Sequence, residues 1–465
     1  MRTFRSMGLV TAVALVPAGA VAVGTPLAVQ GAPSCWGRAA TIVADSFGDT
    51  LMGTPGPDVI YGSDGDDTIS GLAGNDRVCG RRGSDRISGG TGHDKLSGGL
   101  DAARSNPSGD MWLHGDVIEP GQGYDVVDLG FHRGVHFVNG DPSSGDFVGD
   151  VLSYATSRHG VQLDLAAGTA TGQGRDSLVG DANPRTIVAL GSPHRDVIKG
   201  TEVTDWIGAG PGDDTVFGRS GDDHIFERST GSGSDNHVGG DGADTIDTVD
   251  GRDTVKGGAG SDQLFVAQAD SGNGAIVEGG RGGDRMQIEG VGRPYAYDGG
   301  PGPDMADLVL VGGQGSTTVD MLNGRIEHTG KVSPATGIEE WVVRGEELGP
   351  VVFVGTPRAD FVYVGIAMSV TAHLGGGADY LDATELTDRS EIWAGPGNDN
   401  VLLSGAGELI AYLGPGDDVA ADPGNGITAT TVHEYYGGLG SDSLSAPNGQ
   451  PVACDSIESG DCPIP

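Results

Sequence analysis

Between residues 44 and 97 an aliphatic residue recurs every nine positions, at Leu51, Ile60, Ile69, Val78, Ile87 and Leu96. Most of their immediate neighbours are polar or small. One inward-facing position in nine is too sparse for the apolar stripe of a helix. It suits a very short strand that turns one side chain inward and its neighbours outward. The stretch divides into six consecutive nonapeptides: ADSFGDTLM, GTPGPDVIY, GSDGDDTIS, GLAGNDRVC, GRRGSDRIS and GGTGHDKLS. The sixth position is always aspartate and the fourth is glycine in all but the first, where Phe47 stands. Glycines at positions one, two and four allow a tight turn through positive φ. One nonapeptide then makes a turn and a strand, and two make a coil of about eighteen residues. The predicted fold class is all-β, a right-handed parallel β-roll or β-helix solenoid.

The same pattern returns further along. Asp196, Asp205, Asp214 and Asp223 are nine apart, and after a three-residue insertion near Glu227 the series resumes at Asp235, Asp244, Asp253 and Asp262. The matching inward positions are Ile198, Ile207, Val216, Ile225, His237, Ile246, Val255 and Leu264, with His237 the one departure. Beyond residue 265 the period lengthens, and Asp360, Asp379, Asp399 and Asp418 stand 19, 20 and 19 apart. Residues 98–190 interrupt the period; they contain one isolated turn around Asp125 and an alternating segment at Val161, Leu163 and Leu165. The expected organisation is 1–32 a signal peptide, 33–97 a cap and first repeat block, 98–190 an irregular β connector, 191–265 a second block, and 266–465 a degenerate solenoid with a disulfide cap.

Composition supports repeated turns over a conventional core. Of 465 residues, 86 are glycine and only 5% are aromatic. The 65 acidic residues outnumber the 27 basic ones, giving a formal net charge of −38. Such a chain repels nucleic acid phosphates and anionic membranes and attracts cations, so no nucleic acid partner and no membrane insertion are expected. Arg2 and Arg5 followed by an apolar run to Val23 and an Ala20-Val21-Ala22 cleavage pattern read as an export signal. Its removal takes away two arginines and no acids, moving the charge from −38 to −40. Four cysteines in an exported chain favour disulfides. Their positions, two near each end, point to Cys35–Cys79 and Cys454–Cys462.

The nonapeptides resemble the RTX, or hemolysin-type, calcium-binding repeat, whose pattern is G-G-x-G-x-D-x-U-x. Stacked coils bring aspartates eighteen apart together, with Asp49, Asp67 and Asp85 on one edge and Asp58, Asp76 and Asp94 on the other. Two carboxylates and several turn carbonyls make an all-oxygen site suited to calcium, the expected cofactor, rather than to magnesium or zinc. The candidate pairs are 49/67, 58/76, 67/85, 76/94, 196/214, 205/223, 235/253 and 244/262. The site beside Asp235 is set apart by its histidine.

These readings lead to a secreted, extracellular, non-catalytic protein whose folding is coupled to calcium outside the cell. Two other functions fit the solenoid: a calcium-dependent adhesin or matrix protein binding glycan or a cell surface, and a β-helix polysaccharide lyase or epimerase. Known catalytic patterns argue against enzymes of other kinds. His433-Glu434 lacks the second histidine of H-E-x-x-H, and no G-x-S-x-G elbow or P-loop occurs. His132 and His136 are a further pair with metal-ligand spacing, read here as decorating a solvent-facing strand.

Overall fold

The computed structural model describes residues 32–100, 104–105, 111–112, 116–128, 150–179, 188–227, 233–249, 251–267, 274–289, 296–310, 315–345, 349–365, 367–421, 433–445, 452–455, 457 and 459–460. The expected export signal, the His132/His136 pair and the Cys454–Cys462 disulfide lie outside the described side chains.

The described residues contain strands and no helix, wound as a parallel β-solenoid of about 16 turns. Successive strands alternate between two parallel sheets. Val59–Tyr61 pairs with Arg77–Arg82, while Thr68–Ser70, between them in sequence, pairs with Arg86–Ser88 on the other side. In the nonapeptide blocks the register advances eighteen residues, as in Val59↔Arg77 and Thr245↔Gln263. Each strand sends its aliphatic residue inward, and Ile60, Ile69, Val78, Ile87 and Leu96 are all buried. The three-residue insertion does not break the stack, because Thr215–Ser220 pairs directly with Asn236–Asp241.

The interruptions in sequence are detours of one sheet. After Val126–Asp128 the chain forms an antiparallel meander of Gln162–Asp164, Thr169–Thr171 and Arg175–Val179. Its last strand pairs back onto Val126–Asp128 and its first pairs forward onto Val197–Lys199. The same device recurs with Thr317–Asp320, Arg325–His328 and Lys331–Thr336. Both meanders turn on the same chemistry. Asp164 accepts the amide of Ala167 at 3.0 Å before Gly168 at φ 64°, and Asp320 accepts that of Asn323 at 3.1 Å before Gly324 at φ 61°. The other sheet meanwhile runs on through Val117–Glu119, Val151–Ser153 and Val188–Leu190.

From Thr245–Val249 onward the strands of one sheet lengthen. Gln263–Ala267 and Arg285–Glu289 are five-residue strands, where Thr68–Ser70 has three. Two extra residues add one inward position, so Leu264 is joined by Val266 and Met286 by Ile288. Each additional buried aliphatic contributes about 1.5–3 kcal/mol. At the other end, Ser34–Cys35 and Arg38–Ala39 form a small hairpin tied by the Cys35–Cys79 disulfide.

Candidate metal centres

The repeat turns supply the polar chemistry. Each repeat aspartate precedes a strand at the lateral edge of the coil, and all but the half-buried Asp49 are buried, Asp223 and Asp244 being among the most completely covered. Its backbone N–H donates to Oδ1 of the aspartate one coil ahead. On one edge this links Asp49 to Asp67 at 2.6 Å, Asp67 to Asp85 at 2.8 Å and Asp85 to Asp116 at 2.8 Å. The opposite edge links Asp58, Asp76, Asp94 and Asp125 at 2.8 Å each. In the second block one edge runs Asp196, Asp214, Asp235, Asp253, and the other Asp205, Asp223, Asp244, Asp262. All fourteen aspartates singled out in the sequence therefore stand in two edge series. Two neighbour pairs cross the insertion, Asp214/Asp235 and Asp223/Asp244, and are not eighteen apart.

The other carboxylate oxygen divides these residues into two groups. Near the start of each run Oδ2 is used locally. Thr54 donates its amide to Asp58, Ser63 to Asp67 and Ser192 to Asp196, with the hydroxyls of these residues adding a second bond. Ser46 caps Asp49 in the same way, and Thr201 donates its amide to Asp205. Deeper in each run, Oδ2 of Asp76, Asp94, Asp214, Asp223, Asp244 and Asp262 is buried and meets no hydrogen-bond partner. Buried, unpartnered carboxylate oxygens are costly unless a cation neutralises them.

Position one of the repeat shows the space around that oxygen. A Cβ built on Gly218 would stand 2.3 Å from Asp223 Oδ2 and 2.5 Å from the carbonyl of Gly239. On Gly239 it would stand 2.3 Å from Asp244 Oδ2 and 2.7 Å from the carbonyl of Gly257. A carboxylate oxygen and a turn carbonyl converge at each, a hard-oxygen pair of the kind calcium takes. This refines the sequence reading of the glycines. In this repeat positions two and four hold positive φ, Gly240 at 128° and Gly242 at 144°, whereas Gly239 is needed for close approach alone.

Crowded carboxylates also resist ionisation in the absence of a cation. Burial, with Asp196 and Asp235 nearby, pushes Asp214 up to about 8. Burial with Asp205 and Asp244 does the same for Asp223, also to about 8. Asp262 and Asp125 reach about 7, and Asp94 and Asp244 about 6, burial again leading.

The match to known sequences agrees with this geometry. The model of the RTX calcium-binding nonapeptide repeat fits four times, over residues 43–78, 80–102, 190–226 and 229–266. These four stretches are RTX calcium-binding nonapeptide repeats. Their cofactor is calcium, and the residues of this structure fit that ion through orphaned buried oxygens and glycine-lined cradles. No curated protein matches the chain.

The RTX ladder extends beyond the fourteen aspartates. Asp116 donates to Asp150 at 3.0 Å and Asp125 to Asp176 at 3.1 Å, so the edges continue into the connector. Asp262, Asp284, Asp304 and Glu339 continue one edge, and Asp360, Asp379, Asp399, Asp418 and Asp442 follow on it. The signal that could have found Asp116, Asp150 and Asp176 is the aspartate-x-aliphatic step, present in each as Asp-Val-Ile, Asp-Val-Leu and Asp-Ser-Leu. The His433-Glu434 pair lies in the strand His433–Tyr436, with His433 buried inward and Glu434 on the opposite, outer side. Adjacent residues of a strand point to opposite faces, so the two side chains diverge.

Proposed function

We propose that this chain is a secreted, non-catalytic rod whose RTX blocks fold on calcium outside the cell. The observation that carries the reading is the series of buried Oδ2 atoms at both edges of the coil, those of Asp76, Asp94, Asp223, Asp244 and Asp262 each beside a glycine cradle. Asp76, Asp94, Asp214, Asp223, Asp244 and Asp262 would hold calcium together with turn carbonyls of the adjacent coil. Asp49, Asp58, Asp67, Asp196 and Asp205, with Ser or Thr caps on their carboxylates, would complete the first sites from their neighbouring coil and terminate the series. Asp85, Asp235 and Asp253 would complete the set. Bound calcium supplies the positive charge that lets neighbouring carboxylates remain ionised at close range. Where free calcium is scarce the two RTX blocks stay unfolded, which keeps the chain competent for export. The apolar run after Arg5 with its Ala20-Val21-Ala22 pattern supports that route. The blocks 33–97 and 191–265 are the calcium-dependent units in this reading.

The test is a calcium titration of the chelator-treated chain followed by circular dichroism, with magnesium as the control. A calcium-specific gain of β signal that chelator reverses supports the proposal. A spectrum already folded in chelator and indifferent to both cations would overturn it.

A further inference from the structure

One rung of the second block departs from every other. Where the other rungs carry an inward aliphatic, His237 stands fully buried, and neither ring nitrogen meets a hydrogen-bond partner. At position one of the same turn, where the other repeats of the block carry glycine, Ala209 or Thr248, the residue is the charged Glu227. A side chain at that position normally runs into the aspartate of its own repeat, as the 2.3 Å approach at Gly218 shows. Here Asp223 and Asp235 stand twelve residues apart instead of nine.

The Glu227 side chain turns into the coil. Its Oε2 accepts the amide of Val249 at 2.9 Å, which fixes the carboxyl, and its Oε1 is buried without a partner. One carboxylate oxygen each from Glu227, Asp235 and Asp253 lie within 4.8 Å of one another. Nε2 of His237 lies 3.9 Å from Glu227 Oε1. Two bonds of about 2.0–2.2 Å meeting at a wide angle span that gap. A buried imidazole 3.9 Å from one member of a three-carboxylate cluster, with nothing else to bond, adds a nitrogen to an oxygen ligand set.

We propose that Glu227, Asp235, Asp253 and His237 form a site for a first-row divalent transition metal, distinct in chemistry from the calcium rungs on either side. Calcium takes oxygen ligands, whereas imidazole favours cations of the cobalt-to-zinc type. The site shares Asp235 and Asp253 with the edge ladder, yet its selectivity rests on His237 and Glu227.

The test is a cobalt titration of the full chain in excess calcium, read by visible ligand-field absorption, for the wild type, His237→Ile and Glu227→Gln. The rungs paired with His237 carry the aliphatics Val216 and Val255, so His237→Ile retains the fold, checked by its calcium-induced circular dichroism. One cobalt per chain is expected for the wild type, displaced by zinc and not by calcium. Both variants should bind at least tenfold more weakly at this site. Cobalt binding equal in wild type and His237→Ile, absent from the wild type, or displaced by millimolar calcium overturns the proposal. This readout is separate from the calcium-folding reading, since the cobalt band can appear in a rod that needs no calcium to fold.

Discussion

Asp223 donates its backbone N–H to Oδ1 of Asp244 at 2.8 Å, across one full coil and twenty-one residues of sequence. The bond divides the work of the Asp244 carboxylate: Oδ1 joins one coil to the next, while Oδ2 is left buried and unpartnered. The stacking and the proposed cation binding thus share one side chain but use different atoms.

That division makes Asp244→Asn a selective lesion. The amide keeps an oxygen to accept the Asp223 N–H but removes the charge that attracts a cation. At saturating calcium the β signal should match the wild type, while the calcium midpoint of folding should rise about tenfold. Asp244→Ala removes both functions and should also reduce the signal at saturation. An unchanged midpoint for Asp244→Asn would show that its carboxylate charge does not serve calcium.

Acidity should act in opposite directions with and without the ion. Burial raises Asp214 and Asp223 to about 8, and Asp125 and Asp262 to about 7, above the ordinary carboxylate value they take when unfolded. The metal-free fold therefore binds more protons than the unfolded chain between about pH 4 and 8. Its stability is fully present below that window and lost as pH rises through it. Calcium requires the ionised carboxylates, so the loaded rod should weaken as pH falls. Thermal melts at pH 5 and pH 8 should give a higher midpoint at pH 5 in chelator and at pH 8 in calcium. The same order in both buffers would contradict this account.

Gly239→Ala tests the cradle. The new Cβ would meet Asp244 Oδ2 at 2.3 Å, so either the carboxylate or the coil must shift. A loss of about 1–3 kcal/mol is expected from overpacking, together with a higher calcium midpoint. Gly56→Ala is the control, since its Cβ meets only Thr54 Oγ1 at 3.8 Å and its φ is unrestricted. Chemical denaturation in saturating calcium compares the two, and equal effects would remove the argument for close approach.

Much of this arrangement was legible in the sequence because one nonapeptide encodes one turn and one strand. Asp49 through Asp94 and their aliphatic partners gave both the coil length and the two edges. Long-range pairing hid the rest. Nothing local says that Val126–Asp128 will pair with Ser177 to Val179 across a meander, so Asp176 is hidden by its spacing of fifty-one residues from Asp125. The Ser and Thr caps were equally hidden, since Ser63 and Ser192 occupy position two, where glycine stands in other repeats. His237 was visible as an exception, but its meaning depends on Glu227, which the longer turn brings to the same rung.

The two ends of the rod should differ in their need for calcium. Between residues 44 and 97 each strand buries one aliphatic residue, and both edges carry aspartates. After residue 350 only one edge does; the opposite strands are preceded by Pro350, Ser369, Arg389 and Glu408. There the core is thicker, with Val370, Ala372 and Leu374 all buried in one rung. Outside it His373, Trp393, Tyr412 and Tyr436 stack along the rod at 4.3, 5.6 and 4.9 Å, their planes within 10–14° of parallel. Each ring covers the face of the next, so this stack braces the coils rather than offering open faces to a sugar. In chelator, hydrogen exchange should be fast in Thr68–Ser70 and Arg86–Ser88 and remain slow in Val370–His373 and Ser390–Trp393. Trp393→Ala breaks two stacked contacts worth roughly 0.5–1.5 kcal/mol each, and should speed exchange in its own rung and its two neighbours. Calcium should then restore protection at the first end without repairing the second. Loss of protection throughout the rod in chelator would mean that the thicker core cannot hold the coils alone, and that calcium on a single edge governs the C-terminal half as well.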